Sequence, residues 1–378
     1  MRTGSITLRD YADAIAETDR IAPTQTHPIL MGLFGEVGGV LTSAKKHVRE
    51  GEAYPQYRVS AEEEFGDSLW YFARLCHRLG EPIEQIFTEA TAGQDYLNTA
   101  IASDLAIGGV AQLAVNGSPL SVDEALFDLG RSAAALLGLE PGETDNHNLL
   151  VSFGRSYVEA LRSSNISFAR VAQANVAKAR GRFVLPPLGQ LPVFDNTFES
   201  EERIPATFRI RINQRQSGKS YLQWNDVFIG DPLTDNIADP DGYRFHDVFH
   251  LAHAAVLHWS PVFRALIKQK RKSESRTDEA QDGGRAIVVE EGLTAWIFGR
   301  AKHLQFFDGQ ERLSFDILKT IQEFVSGYEV DQCPLSLWEQ AILQGYEVFR
   351  QVKASQGGWV IGDRSARTLT FEPLEMQT

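Results

Sequence analysis

Cysteine is nearly absent: Cys76 and Cys333 are the only two in 378 residues, which excludes a disulfide framework and a cysteine-rich zinc site. Long apolar runs are missing as well. No stretch approaches the roughly 20 residues that span a bilayer, and the opening "MRTGSITLRDYADAIAETDR" has no apolar signal-peptide core. No membrane partner is therefore expected, and a reducing cytoplasm is the expected location. Positive charge is in deficit, with 37 Lys and Arg against 50 Asp and Glu and a net charge of −13. That balance argues against general nucleic-acid binding, which needs a basic face. A phosphate-bearing ligand would need local cations or a metal ion.

What remains is a globular composition, 43% hydrophobic and 23% charged, in a chain longer than one ordinary core supports. The spacing of apolar residues is helical from 7 to about 182, with breaks at Pro23, Pro28, Pro55, Pro82, Pro119 and Pro141. "FVLPPLGQLPVFDNTFESEERIP" then carries four prolines and no period, which reads as a linker. Beyond it "ATFRIRINQR" and "SYLQWNDVFIG" alternate like two strands joined by a "QSGK" hairpin. Helical stretches follow at 243–258, 261–272, 286–305, 312–327 and 335–354. The expected chain is mainly α: an all-α domain over 1–183, a linker over 184–205, and a helix-rich α+β domain over 206–378.

Chemistry concentrates in a few helices. In "GLFGEVGGVLTSAKK" (32–46), Leu33, Val37, Val40, Leu41 and Ala44 form one apolar face, while Gly32, Gly35 and Gly39 leave a bare strip beside Glu36. In "SAEEEFGDSLWYFARLC" (60–76), Ser60 and Glu63 have capping-box spacing. Glu64 and Asp67 then share a side away from Phe65, Leu69, Phe72, Cys76 and Leu79. Two such acids are either a solvated face or a cation site, and Mg²⁺ suits carboxylate oxygens completed by water and phosphate.

The two segments together resemble the MazG-like branch of the all-α nucleotide pyrophosphohydrolases, whose motif is ExxE, a spacer, then ExxD. Glu36 matches the first acid, Glu64 and Asp67 match ExxD, and "GDSLWYFA" matches the usual continuation. "RVAQANVAKARGRF" supplies the Asn and Lys of the family's closing helix as Asn175 and Lys178. The resemblance implies Mg²⁺-dependent hydrolysis of a nucleoside triphosphate to the monophosphate and pyrophosphate. Glu36, Glu64 and Asp67 would hold Mg²⁺, Lys178 would act with them in catalysis and neutralise the phosphates, and Asn175 would hydrogen-bond the nucleotide. Trp70 and Tyr71 either stack on the base or pack. The departure is Gly39, where the family has its second glutamate. Three acids hold one Mg²⁺, and the alternative is a catalytically weakened nucleotide sensor that regulates a metal-dependent hydrolase in the second domain.

Family members usually build such bundles from two subunits, so a homo-oligomer or a fused pseudo-dimer is implied. "PIEQIFTEATAGQ" aligns with "ISFARVAQANVAK", placing Ala90 opposite Asn175 and Gly93 opposite Lys178. "LFGEVGGVL" aligns with "LGRSAAALL", placing Arg131 near the position of Glu36. Extra helical packing over 98–164 is the other reading.

In the second domain "GYRFHDVFHLAHAAVLHW" places His246, His250 and His253 on one helix face, and His at i and i+4 can give two nitrogens to one zinc ion. "VVEEGLTAWIF" adds Glu290 and Glu291. "HDVFH" with this second helix resembles gluzincin-type metallopeptidases, which implies His246, His250 and Glu291 as ligands of Zn²⁺ or another transition metal, with His253 close by and Asp247 as base. Between them "RALIKQKRKSESR" either meets phosphates or is a solvated helix end.

Overall fold

The computed structural model describes residues 7–91, 120–139 and 146–374. The chain divides into two compact units, residues 1–184 and 185–378. Among the described residues no helix is long and apolar enough to cross a membrane.

The first unit is a helical bundle. Helix α1 (Leu8–Ala16) starts at a capping box in which Thr7 accepts from the Asp10 amide and Asp10 from the Thr7 amide. Helix α2 (His27–Glu50) has Pro28 in its first turn, where the missing N–H costs nothing. Helices α3 (Tyr57–Leu79), α4 (Ile83–Thr91), α5 (Val122–Leu136), α6 (Asn146–Ser163) and α7 (Phe168–Phe183) follow. The long helices α2 and α3 pack side by side, α5 and α6 do the same, and α7 lies against α3 and α1. Leu33, Val37 and Val40 turn inward from α2, meeting Phe65, Leu69, Phe72 and Cys76 of α3, as the apolar spacing requires. Phe72, Phe87, Phe153, Tyr157 and Phe168 complete an aromatic centre of edge-to-face and tilted pairs.

One sequence expectation changes here. Helix α3 begins at Tyr57, one turn before the expected Ser60 cap, so Ser60 is an interior helical residue and Glu63 is released for other work. Arg131 is exposed and pairs with Asp128 on its own helix. Gly93 and the stretch 98–119 of the suggested repeat lie outside the described residues.

The second unit sets a five-stranded antiparallel sheet, ordered β3-β2-β1-β4-β5, against helices. Its strands are β1 (Thr207–Gln214), β2 (Ser220–Trp224), β3 (Val227–Leu233), β4 (Gly357–Asp363) and β5 (Thr368–Glu372). "SYLQWNDVFIG" is two strands rather than one, because Asn225 and Asp226 both take positive φ, at 49° and 63°. Two such residues make the tight hairpin whose twist matches the strands. The strands β4 and β5 were not anticipated; β4 is glycine-rich and pairs with β1 across more than 140 residues of chain.

Helix α8 (Asp247–Ala252) is buried throughout and runs into a π-helical turn, His253–Leu257. Around it come α9 (Pro261–Ile267), α10 (Ser275–Ala280), α11 (Gly284–Lys302), α12 (Phe315–Val325) and α13 (Leu335–Ser355). The inward faces of β1, Phe208, Ile210 and Ile212, join this core.

The proline-rich stretch is not a free linker. Leu191 and Ile204 belong to the second core. Asp195 is 1% exposed and accepts from Arg264 at 2.7 Å, Arg364 at 2.6 Å and the Ile204 amide at 2.9 Å. Arg271, expected in a cationic loop, is likewise buried, fixed by Asp282 at 2.7 Å and Glu329 at 2.6 Å. A buried guanidinium needs such carboxylates, so Arg271 is taken from any phosphate-binding surface, while Lys268, Lys272 and Arg276 of the same run stay exposed.

Candidate functional site

The first constellation joins helices distant in sequence. Helix α3 carries Glu63, Glu64 and Asp67 on one side, α7 brings Asn175 and Lys178 to them, and α1 contributes Tyr11. The Lys178 ammonium donates to Asp67 Oδ2 at 2.5 Å and to Glu63 Oε1 at 2.8 Å. The Asn175 amide donates to Asp67 Oδ1 at 3.0 Å, and the buried Tyr11 hydroxyl donates to Asn175 Oδ1 at 2.8 Å, which fixes the amide's orientation. Both oxygens of Asp67 are thus engaged. Glu63, expected as a capping residue, is instead a partner of Lys178.

Glu36 reaches the same cluster from α2. Gly39 lies beneath Glu64: a Cβ at residue 39 would stand 2.2 Å from Glu64 Oε2. The carboxylate of Glu64 therefore uses the room that the missing side chain leaves, and it hydrogen-bonds Glu36. Burial first, then the charge of Asp67 and that bond, push the Glu36 carboxyl up to about 8. Four carboxyl groups gathered around one ammonium leave negative charge uncompensated even with a proton held on Glu36, and oxygen donors of this kind fit a divalent ion of the Mg²⁺ class. Among the described residues, His, Cys, Asp and Glu groups with ligand atoms mutually within 4.8 Å occur only in the second unit. A cation that keeps waters and takes phosphate oxygens tolerates the wider spacing.

The aromatic neighbours divide. Trp70 gives its indole N–H to Thr18 at 2.9 Å and stands edge-on to Tyr71, so its polar edge is occupied within the bundle. The ring of Tyr71 lies across Gly32, where a Cβ would meet it at 2.2 Å.

The second constellation forms where α8 meets α11. His246 bonds through Nδ1 to the Tyr243 carbonyl at 2.9 Å, and its ring stacks on Tyr243 at 4.4 Å. His250 bonds through Nδ1 to Glu290 Oε1 at 3.0 Å, and His253 does the same. Glu290 is fully buried and also accepts from Ser260 Oγ at 2.7 Å and the Val262 amide at 2.9 Å. Burial opposes its charge, but His250 and His253 outweigh burial and hold its carboxyl down to about 2. Conversely burial disfavours charge on His250, yet Glu290 and Glu291 raise it to about 10. Glu291 Oε2 lies 3.5 Å from Nε2 of both His246 and His250. Asp247 is buried beside them, one ligand atom of each of His246, Asp247 and His250 lying within 4.8 Å of the others.

The structure thus brings Glu36, Glu64, Asp67, Asn175 and Lys178 into one cluster and His246, Asp247, His250 and Glu291 into another. His253 is drawn to Glu290, on the far side of His250 from that convergence. Tyr11, Glu63, Glu290 and Tyr243 gain positions the motifs did not assign. The available signal was a polar group on an apolar face. Tyr11 falls in step with Leu8 and Ile15, and Glu290 with Ala286, Leu293 and Ile297.

Fold and sites define a two-unit, mainly α protein with an acidic cluster in one unit and a histidine–glutamate cluster in the other. Residues 189–375 match the family model of the MazG C-terminal domain, and over that stretch the chain is similar to MazG-family proteins. The match falls in the second unit, while the acidic motif lies in the first. No curated protein and no solved structure matches the chain.

Proposed function

We propose that the first unit hydrolyses a nucleoside triphosphate to the monophosphate and pyrophosphate with Mg²⁺. The observation that carries this reading is the meeting of Asp67 with Asn175 and Lys178, whose contacts join residues more than 100 positions apart. The likeness of the second unit to the MazG C-terminal domain supports it. Glu36, Glu64 and Asp67 would hold the ion, which when bound neutralises phosphate charge and acidifies a water. Lys178 balances charge on the phosphate chain, and Asn175, oriented by Tyr11, offers a fixed amide to the nucleotide. Water adds to the α-phosphorus and pyrophosphate leaves, so no redox partner is required.

The test is pyrophosphate release from a panel of ribo- and deoxyribonucleoside triphosphates with Mg²⁺. Turnover should fall about 100-fold or more in a Glu64→Gln, Asp67→Asn double variant. Absence of turnover with every nucleotide, or full activity in that variant, overturns the reading. The absence of a carboxylate at Gly39 favours one second reading, a nucleotide sensor with weakened catalysis that regulates the second unit. Micromolar nucleotide binding without pyrophosphate release would select it.

A further inference from the structure

We propose that His246, His250 and Glu291 form a binding site for one divalent first-row transition ion, of the zinc class, in the second unit. This is independent of nucleotide hydrolysis in the first. The argument starts from the protons. A carbonyl only accepts, so the His246 Nδ1 that meets the Tyr243 carbonyl at 2.9 Å carries the hydrogen. Glu290 is a carboxylate held ionised among donors, so His250 Nδ1 at 3.0 Å carries its hydrogen as well. An ion that binds displaces the second proton of His250; with each Nδ1 keeping its hydrogen the lone pairs then sit on Nε2, and Glu291 Oε2 is the group both Nε2 atoms approach. Fixing the ring through its other nitrogen is how histidine ligands are held for metals.

The distances have the spacing of ligands rather than of hydrogen bonds. Each Nε2···Oε2 separation is 3.5 Å, well beyond the ~2.8 Å of a charge-assisted hydrogen bond. It equals, within a few tenths of an ångström, the ~3.4 Å edge of a tetrahedron whose arms are the ~2.1 Å of zinc bonds. His250 Nε2 is also fully buried and makes no hydrogen bond, an expensive state for a polar atom unless something binds it. An ion has a way in, because the Glu291 side chain is 40% exposed while His250 is sealed. Two imidazole nitrogens and one carboxylate suit zinc and its neighbours rather than Mg²⁺ or Ca²⁺. Three protein donors leave a position for water, with Asp247 buried within reach of it. Glu290 is a positioning residue, anchored by Ser260 and Val262 so that it can aim His250. Glu290's fourth partner, His253, opens the π-helical turn His253–Leu257 that ends this helix and ties it to the same carboxylate.

The experiment uses the full chain, stripped with a chelator and titrated with Zn²⁺ by calorimetry and with Co²⁺ by visible absorption. One equivalent should bind with micromolar or tighter affinity, and Co²⁺ should show the ligand-field bands of a nitrogen-bearing, low-coordinate site. Glu291→Gln, which alters a half-buried group and leaves the buried Glu290 anchor intact, should lower affinity at least tenfold, and His246→Ala should abolish the bands. Glu290→Gln should weaken binding about 10- to 100-fold without removing a ligand, while its Co²⁺ spectrum keeps the same donor set. The Glu64→Gln, Asp67→Asn variant must retain the full equivalent, which separates this site from the first unit's carboxylates. No Zn²⁺ or Co²⁺ binding by the folded chain, or binding unchanged in Glu291→Gln and His246→Ala, overturns the proposal whatever the nucleotide assay returns.

Discussion

Gly39 shows how much one absent side chain decides. Its neighbour at 2.2 Å from a notional Cβ is the tip of Glu64, a mobile group. Gly39→Ala should therefore leave the fold intact but move Glu64 away from Glu36. Pyrophosphate release is expected to fall about 10- to 100-fold, the usual scale for an ångström of misplacement, while the circular dichroism spectrum stays unchanged. Gly35 and Gly38 have nothing within 4 Å of a Cβ. Gly35→Ala and Gly38→Ala should each stabilise the first unit by about 1 kcal/mol in denaturant titrations, through helix propensity alone. Gly32→Ala should do the reverse, because the Tyr71 ring stands in its way. At the same scale His258 is buried, with Nε2 2.8 Å from the Arg364 carbonyl. Burial first, then Arg364 and Arg367, lower it from the usual 6.5 to about 4. The folded state thus refuses a proton that the unfolded chain accepts. Its contribution is fully present above pH 6.5 and is lost as pH falls toward 4, a loss of about 3 kcal/mol for the second unit. Stability measured at pH 7 and pH 4.5 should show a smaller difference in His258→Gln than in the wild type.

Among the elements, those with a strong local period were legible and those built by partners were not. Helices α2, α3 and α11 to α13 follow from apolar spacing alone, because one helix buries one stripe whatever lies opposite. The ends were less visible: Ser60 has cap chemistry, yet α3 starts three residues earlier and the capping acid turns to Lys178. Strand β4 depends on β1 for its hydrogen bonds and β5 depends on β4, and "GGWVIGD" has no alternation strong enough to declare itself. The Asn225–Asp226 turn is a local signal that was readable but was absorbed into one long strand. Asp226→Ala should cost about 1–2 kcal/mol in the second unit, since φ of 63° penalises a β-carbon without asparagine-like side-chain support.

For the molecule as a whole, the first unit ends at residue 184, and the stretch that composition gives as a linker over 184–205 falls almost wholly within the second unit. The proline-rich arm is part of the second core through Leu191, Asp195 and Ile204. A fragment of residues 206–378 leaves Arg264 and Arg364 without Asp195. It should be about 3–5 kcal/mol less stable than a fragment of 185–378, the cost of a buried charge that loses its partner. Chemical denaturation of the two fragments reads this directly, and equal stability would restore the arm to the role of a linker.

The sequence alone determined the helical character of the first unit, the mixed character of the second, and the residue types able to bind cations or phosphates. It could do so because period and donor chemistry are properties of residues a few positions apart. Only the tertiary structure decided the pairings. Lys178 meets Asp67 and Glu63, Glu64 fills the space over Gly39, and Glu290 rather than Glu291 aims the histidines. Arg271 disappears into an ion network. Each of these depends on which helix faces which, and that is settled by the packing of whole apolar faces rather than by any motif.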